Sequence, residues 1–202
     1  MKIVYPTSHT FTRASSNAGS KSDAHYWEAM REGSAAAFET IFRTYYEFLF
    51  NYGLRFQADP EEVKDCVQEL FITIWERREL LGPTTSIRNY LLASLRRLIL
   101  KRIKQRPTHV EMDANTFDVQ VQLPHEATLI LDQSTTESLT LLHNSLEKLP
   151  ERQKEAVYLK YYGDQSFAEI AVIMGITTRA VYKLLYKALD SLNATLSQAG
   201  RQ

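Results

Sequence analysis

Residues 149–196 read LPERQKEAVYLKYYGDQSFAEIAVIMGITTRAVYKLLYKALDSLNATL, and this stretch decides the fold. Leu149-Pro150 opens a helix, because proline is tolerated in a first helical turn. That helix runs through Ala156, Val157 and Leu159 to a tyrosine pair and stops at Gly163. Ser166 stands three residues before Glu169, the spacing of a capping box. Ile170, Ile173 and Met174 give a short helix its apolar side, Gly175 ends it, and Ile176 plugs the turn. Thr177 caps the next helix, in which Val181, Leu184, Leu185, Ala188 and Leu192 recur at spacings of three and four. Its other side offers Arg179, Tyr182, Lys183, Tyr186 and Asp190, with Lys187 beside them. Three short helices ending in a helix-turn-helix are expected. One face of the last helix locks onto a small core, and the other presents cations and flat rings to phosphates and base edges.

Working outward, residues 107–136 form an acidic linker without a single Lys or Arg, but with Glu111, Asp113, Asp118, Glu126 and Asp132. A helix from Thr136, carrying Leu139, Leu142, Leu146 and Leu149, leads from it into the terminal domain (137–202). Before the linker lies RRLILKRIKQR, Arg96 to Arg106, with six cations and no acid. Like charge at that density fits phosphate contact with counterion release, although a helix C-terminus also tolerates cations. The helix bearing this run is capped by Ser86, and Ile87, Leu91, Leu95 and Leu98 pack it.

Further upstream, Asp59-Pro60 is a cap followed by a first-turn proline, and Glu61 and Glu62 suit the positive end of that helix. Val63, Val67, Leu70, Phe71, Ile74 and Trp75 face inward. The opposite face reads Asp65, Gln68, Glu69, Ile72 and Glu76. An isoleucine among polar neighbours on an exposed face marks a docking surface. From a cap at Ser34, the residues Phe38, Ile41, Phe42, Tyr45, Leu49 and Tyr52 form an aromatic stripe read as core. Helical period begins near Tyr26-Trp27, so residues 25–106 make a first helical domain and residues 1–24 a tail.

The whole chain of 202 residues has 24 basic and 24 acidic side chains, so partners must be read from where charge sits, not from its sum. Glycine and proline are scarce and strand-like alternation is short. The expected fold is all-α: two small helical domains joined by a linker, the C-terminal one a helix-turn-helix. No apolar run reaches the length of a membrane span. One cysteine, Cys66, excludes an internal disulfide framework, fits a reducing cytoplasm, and is read as helix packing. The five histidines are scattered and form no metal-ligand cluster, so no cofactor, metal or catalytic residue is expected.

Two signatures carry a resemblance covering residues 34–196. The first is AFETIFRTYYEFLFNYG followed by DPEEVKDCVQELFITIWE, with Asp65, Gln68, Glu69, Phe71 and Trp75 in register; the second is the helix-turn-helix stretch. In this order, with a linker of this length, they resemble the extracytoplasmic-function sigma factors of bacterial RNA polymerase. The resemblance implies a promoter-specificity subunit, not an enzyme, with core RNA polymerase and promoter DNA as partners and commonly an anti-sigma factor. It implies that Asp65, Gln68, Glu69 and Ile72 dock on the polymerase, and that the loop from Arg77 to Asn89 captures a flipped base of the minus-ten element. By the same resemblance Arg96, Arg97, Lys101 and Arg102 hold the strand backbone, while Thr177, Thr178, Arg179, Tyr182 and Lys183 read the minus-thirty-five duplex. The linker would thread toward the polymerase active-site channel. Arg97 stands where the family usually has Asn, and Tyr90 where a Trp or similar ring is usual. The alternative is a stand-alone helix-turn-helix regulator that binds a palindromic operator without polymerase.

Overall fold

The structure is a computed structural model, and it describes residues 19–56, 59–105 and 141–199. Those residues form helices and turns, with no strand among them. The expected tail at 1–18, the end of the basic run at Arg106, and the linker at 107–136 lie outside the described residues.

The first domain begins with α1 (Gly19–Arg31). This helix starts earlier than the expected boundary at residue 25, because its anchors lie further on. Trp27 and Met30 are buried, while Ala24, His25 and Tyr26 are exposed and show no apolar period. Helix α2 (Ala35–Gly53) begins at Ser34, whose hydroxyl accepts from the Ala37 amide at 3.2 Å. Its buried residues are Ala37, Ile41, Phe42, Tyr46, Leu49 and Tyr52. Tyr46 thus takes the interior place expected of Tyr45, which is half-buried and donates its hydroxyl to Asp23 at 2.5 Å. Burial and this bond to a carboxylate push the Tyr45 phenol far above its ordinary range.

Helix α3 (Pro60–Glu76) opens as expected, with the Asp59 carboxylate accepting from the Glu61 amide at 2.9 Å. It buries Val63, Cys66, Val67, Leu70, Phe71 and Ile74. Cys66 is buried among these packing groups, and burial pushes its thiol up against the pull of the Arg102 charge. A 3-10 turn (Arg78–Leu80) follows, then α4 (Ile87–Gln105) behind a Ser86 hydroxyl that accepts from the Asn89 amide at 3.2 Å. Helices α2, α3 and α4 pack on one another, and α1 lies on α2 and the 3-10 turn.

Gly53 marks the tightest crossing. A β-carbon there would sit 2.5 Å from Val63 Cγ1 and 3.5 Å from Ile99 Cδ1. Valine is stiff at χ1 and cannot swing aside cheaply. Gly53→Ala is therefore expected to cost about 1–3 kcal/mol of stability in urea unfolding, and a wild-type midpoint would contradict this packing.

In the second domain α5 (141–147) leads through buried Leu146 and Leu149 to α6 (Glu151–Tyr161), which Pro150 introduces. Helix α7 (Phe167–Met174) carries the complete capping box: the Ser166 hydroxyl accepts from the Glu169 amide at 3.3 Å, and the Glu169 carboxylate accepts from the Ser166 amide at 2.8 Å. Gly175 ends α7 at φ 65°, a left-handed geometry that favours glycine. Thr177 caps α8 (Thr178–Ala199) by accepting from the Ala180 amide at 3.2 Å. That helix is 22 residues long, not short. Its apolar spacing continues past the helix-turn-helix, and Val181, Leu185, Ala188 and Leu192 are all buried.

The two domains are packed together. Helix α4 lies against α7, and one contiguous cluster of buried side chains runs from Trp27 to Leu192.

Candidate nucleic-acid interface

The helix-turn-helix positions its reading face by ordinary core packing. Val181, Leu185 and Ala188 point inward and set the buried side of α8, which leaves its opposite side to solvent. Thr177, Thr178, Arg179, Tyr182 and Lys183 are all exposed, and they share the start of α8. Tyr182 does not hang free. Its ring stacks on Phe167 with centroids 4.1 Å apart and planes 12° apart. Lys160 lies 5.2 Å from the centre of the Phe167 ring and donates to the Gln165 carbonyl at 3.2 Å. The sequence reading missed Phe167 as a support. Its signal was its place as the first residue of a capped helix, which sets it beside the turn. Tyr186, 66% exposed, extends the aromatic edge one turn further along α8.

The basic helix α4 behaves differently along its length. Arg97 and Lys101 are exposed. Arg97 donates back to the Ala93 carbonyl at 3.1 Å and to the Ser94 hydroxyl at 3.2 Å. Arg102 is paired with Glu69 of α3, so a residue expected on DNA and one expected on polymerase hold each other. Both are partly exposed, and pairs of this kind near the surface separate at little cost.

Arg96 is held by the second domain. It was expected to offer its charge to a DNA strand, yet its side chain is 14% exposed and bound to Glu155 of α6. Its Nε donates to Oε1 at 2.7 Å and its Nη2 to Oε2 at 3.2 Å. The Tyr52 hydroxyl donates to the same Oε1 at 2.8 Å. Burial and the adjoining Glu155 charge push the Tyr52 phenol well above its ordinary range. Burial alone would lower the Arg96 pKa, but the bonds to Glu155 outweigh it and hold the guanidinium charged. Position explains the pairing. Arg96 lies about two turns beyond Asn89, where α4 runs beneath the second domain and not into solvent.

The loop before α4 is pinned from both sides. The Trp27 indole donates to the Gly82 carbonyl at 3.0 Å, and its ring meets Tyr90 edge-on at 5.1 Å. The Asn89 amide donates to Glu169 Oε1 at 2.8 Å. Glu169 therefore serves its own helix cap and the other domain at once. Burial raises its pKa, but the Ser166 bonds, the Asn89 amide and the Arg88 charge outweigh that and hold the carboxyl below the glutamate value of 4.5. A depressed pKa contributes stability above the ordinary value, and that stability is lost as pH falls through the depressed one. Melting temperature is expected to fall with acidification below 4.5, and less so in Glu169→Gln, whose side chain does not titrate. Identical pH profiles for the two proteins would contradict the assignment.

On α3 the polar face is open as expected. Asp65 and Ile72 are exposed, Ile72 by 50%, while Gln68 and Glu69 are half-buried. Among the described residues no group of His, Cys, Asp or Glu could hold a metal ion, and no helix is long and apolar enough to cross a membrane.

Two surfaces in this order match known families. Residues 41–107 match the model of sigma-70 region 2, and residues 139–192 match that of sigma-70 region 4. Together they cover more than half of the chain. The chain belongs to the sigma-70 family. It is a sigma factor of the extracytoplasmic-function type, and it directs promoter recognition. It is 28% identical over 175 residues to the extracytoplasmic-function RNA polymerase sigma factor SigL of Mycobacterium tuberculosis, covering 83% of this chain and 96% of that protein. It is 22% identical to SigW of Bacillus subtilis, over 83% of this chain and 92% of that protein. Its fold is similar to CnrH, solved with the cytosolic domain of CnrY (TM-score 0.60, 18% identity, 87% of this chain and 97% of that one). It is also similar to RpoE of Bartonella quintana, solved with the anti-sigma factor NepR (TM-score 0.60, 18% identity, 79% and 96%). The fold of this sigma factor is thus all-helical, with region 2 and region 4 as its two parts.

Proposed function

We propose that this sigma factor acts in the cytoplasm without bond chemistry of its own, as the subunit that places core RNA polymerase on two promoter elements. Residues 25–106 act as the region that binds polymerase and the minus-ten element. Residues 107–136 act as the linker and residues 137–202 as the reader of the minus-thirty-five element. The observation that carries this reading is the outward display of Thr177, Thr178, Arg179, Tyr182 and Lys183 on a capped, core-anchored helix. The open polar face of α3 around Ile72, with Asp65, Gln68 and Glu69, supplies the polymerase contact. Arg97, Lys101 and Arg102 supply the strand backbone contacts, joined by Arg96 once it leaves Glu155.

Trapping melted bases costs a few kcal/mol of unstacking for each base, which pocket contacts and phosphate neutralisation offset. Two modest DNA contacts held on one rigid polymerase gain from effective concentration, so neither needs to be tight alone. An anti-sigma partner belongs to the same proposal, since the Bartonella quintana neighbour is solved with one.

The test is fluorescence anisotropy of labelled promoter duplex with the full chain, with and without core polymerase. Binding is expected to be weak alone and to tighten on adding core enzyme. Tight, core-independent binding to a palindromic site would instead identify a stand-alone regulator. In the same assay Lys183→Ala is expected to weaken binding and to reduce the salt slope by about one. Wild-type occupancy at several salt concentrations would refute a phosphate contact at Lys183.

A further inference from the structure

The reading face of α8 lacks the side chains that ordinarily select adenine or cytosine. Near the start of the helix its exposed groups are Thr178, Arg179, Tyr182 and Lys183, with Thr177 at the cap. No amide or carboxylate side chain stands among them. In the major groove adenine is ordinarily met by Asn or Gln, and cytosine by Asp or Glu. What remains are cations, which suit guanine or phosphate, and apolar surface, which suits the thymine methyl. Tyr182 is the largest apolar group of the set and is 44% exposed.

A tyrosine alone on a helix surface is a poor reader, because its ring visits several rotamers and binding must select one. Tyr182 is not alone. The Phe167 ring lies nearly parallel to it, with centroids 4.1 Å apart and planes inclined by 12°. Local geometry fixes both positions. The capping box starts α7 at Ser166 and makes Phe167 the first residue of that helix, while Gly175 and the Thr177 cap set where α8 begins. Phe167 is held in turn. Lys160 stands 5.2 Å from its ring centre and donates to the Gln165 carbonyl at 3.2 Å. Gln165 is buried, and its side-chain amide donates to the Gly163 carbonyl at 3.1 Å. Contacts therefore run unbroken from the turn before α7, through Lys160 and Phe167, to the ring that faces solvent.

We propose that Phe167 is a positioning residue for base readout: its stack fixes Tyr182 in one orientation, from which the Tyr182 ring selects a thymine by its 5-methyl group in the upstream duplex element. The inference rests on the proposed reading of that element by α8. The stack is made when the domain folds, so the ring is already ordered at the moment of binding. Fixing it also sharpens selection. A fixed ring leaves a gap over a base without the methyl, whereas a mobile ring can turn and close that gap.

The experiment measures binding of the full chain with core polymerase to a duplex carrying the upstream element of a start site mapped by transcription. Each thymine of the element is replaced in turn by deoxyuridine, which removes one methyl group and nothing else. Wild type is expected to lose about fourfold in affinity at one position, the value of one buried methyl. Tyr182→Ala is expected to bind both duplexes alike, and Tyr182→Phe, which keeps the ring, to keep the wild-type ratio. Phe167→Leu leaves Tyr182 unstacked and is expected to bring the ratio below about twofold. Phe167→Tyr is expected to restore it. Lys183→Ala is expected to weaken both duplexes and keep the ratio, which separates readout from affinity in general. Lys160→Met, which takes the charge from beside the Phe167 ring, is expected to lower the ratio and replaces Phe167→Leu if circular dichroism shows that variant unfolded. A wild type indifferent to every deoxyuridine, or a ratio that survives Tyr182→Ala, would overturn the thymine readout. A ratio that survives in folded Phe167→Leu, or in Lys160→Met in its stead, would overturn the positioning role. A duplex with a scrambled upstream element bound as tightly as the native one would instead sink the reading by α8 itself, so the two failures are distinct.

Discussion

Trp27→Ala is expected to lower the unfolding free energy by about 3–5 kcal/mol, the range for removing a buried aromatic side chain. Trp27 is 2% exposed and touches two parts of region 2 at once. Its ring packs edge-on to Tyr90 at the start of α4, and its indole ties the Gly82 carbonyl of the loop before that helix. Trp27→Phe separates the two effects. It keeps most of the ring and loses only the donor, so it is expected to cost about 1 kcal/mol while loosening the loop. Urea unfolding checks the energies. A loss below about 1 kcal/mol for Trp27→Ala would show that α1 is peripheral, against the role its burial assigns.

The second large effect is on binding, not stability. Ile72→Glu is expected to weaken core polymerase association by about tenfold to a hundredfold, as loss of a central apolar anchor does. The melting temperature is expected to stay unchanged, since half of the Ile72 surface already faces solvent. Glu69→Lys is expected to act in the same direction and also to repel Arg102, its present partner. Undiminished pull-down of core polymerase by both folded variants would remove the α3 face from the docking surface.

These residues show how much of the molecule is legible in one sequence. The caps at Ser34, Asp59, Ser86, Ser166 and Thr177 were all readable, because a cap is a local contact spanning two or three residues. The left-handed stop at Gly175 was readable for the same reason. The choice of Tyr46 over Tyr45 as the buried ring was not, since both fall on the edge of one stripe and tertiary packing decides between them. The start of α1 at Gly19 was hidden because Ala24, His25 and Tyr26, ahead of the buried Trp27, carry no apolar period. The pairing of Arg96 was hidden for a deeper reason. Its partner Glu155 lies 59 residues away across the linker, and nothing local distinguishes it from Arg97, which is exposed. Charge density in a sequence reports the helix that bears it, not which of its cations another domain will cover. Phe167 under Tyr182 is a smaller case of the same kind, a contact made only once the turn between α7 and α8 is formed.

The central claim is that this chain confers promoter choice on a polymerase that lacks it. Reconstituted transcription on genomic fragments, with transcript 5′ ends mapped, tests it most directly. Discrete start sites sharing one upstream element are predicted when core polymerase and this chain are both present, and they should be lost with Lys183→Ala. The same start sites from core polymerase alone, or none with both proteins present, would contradict it.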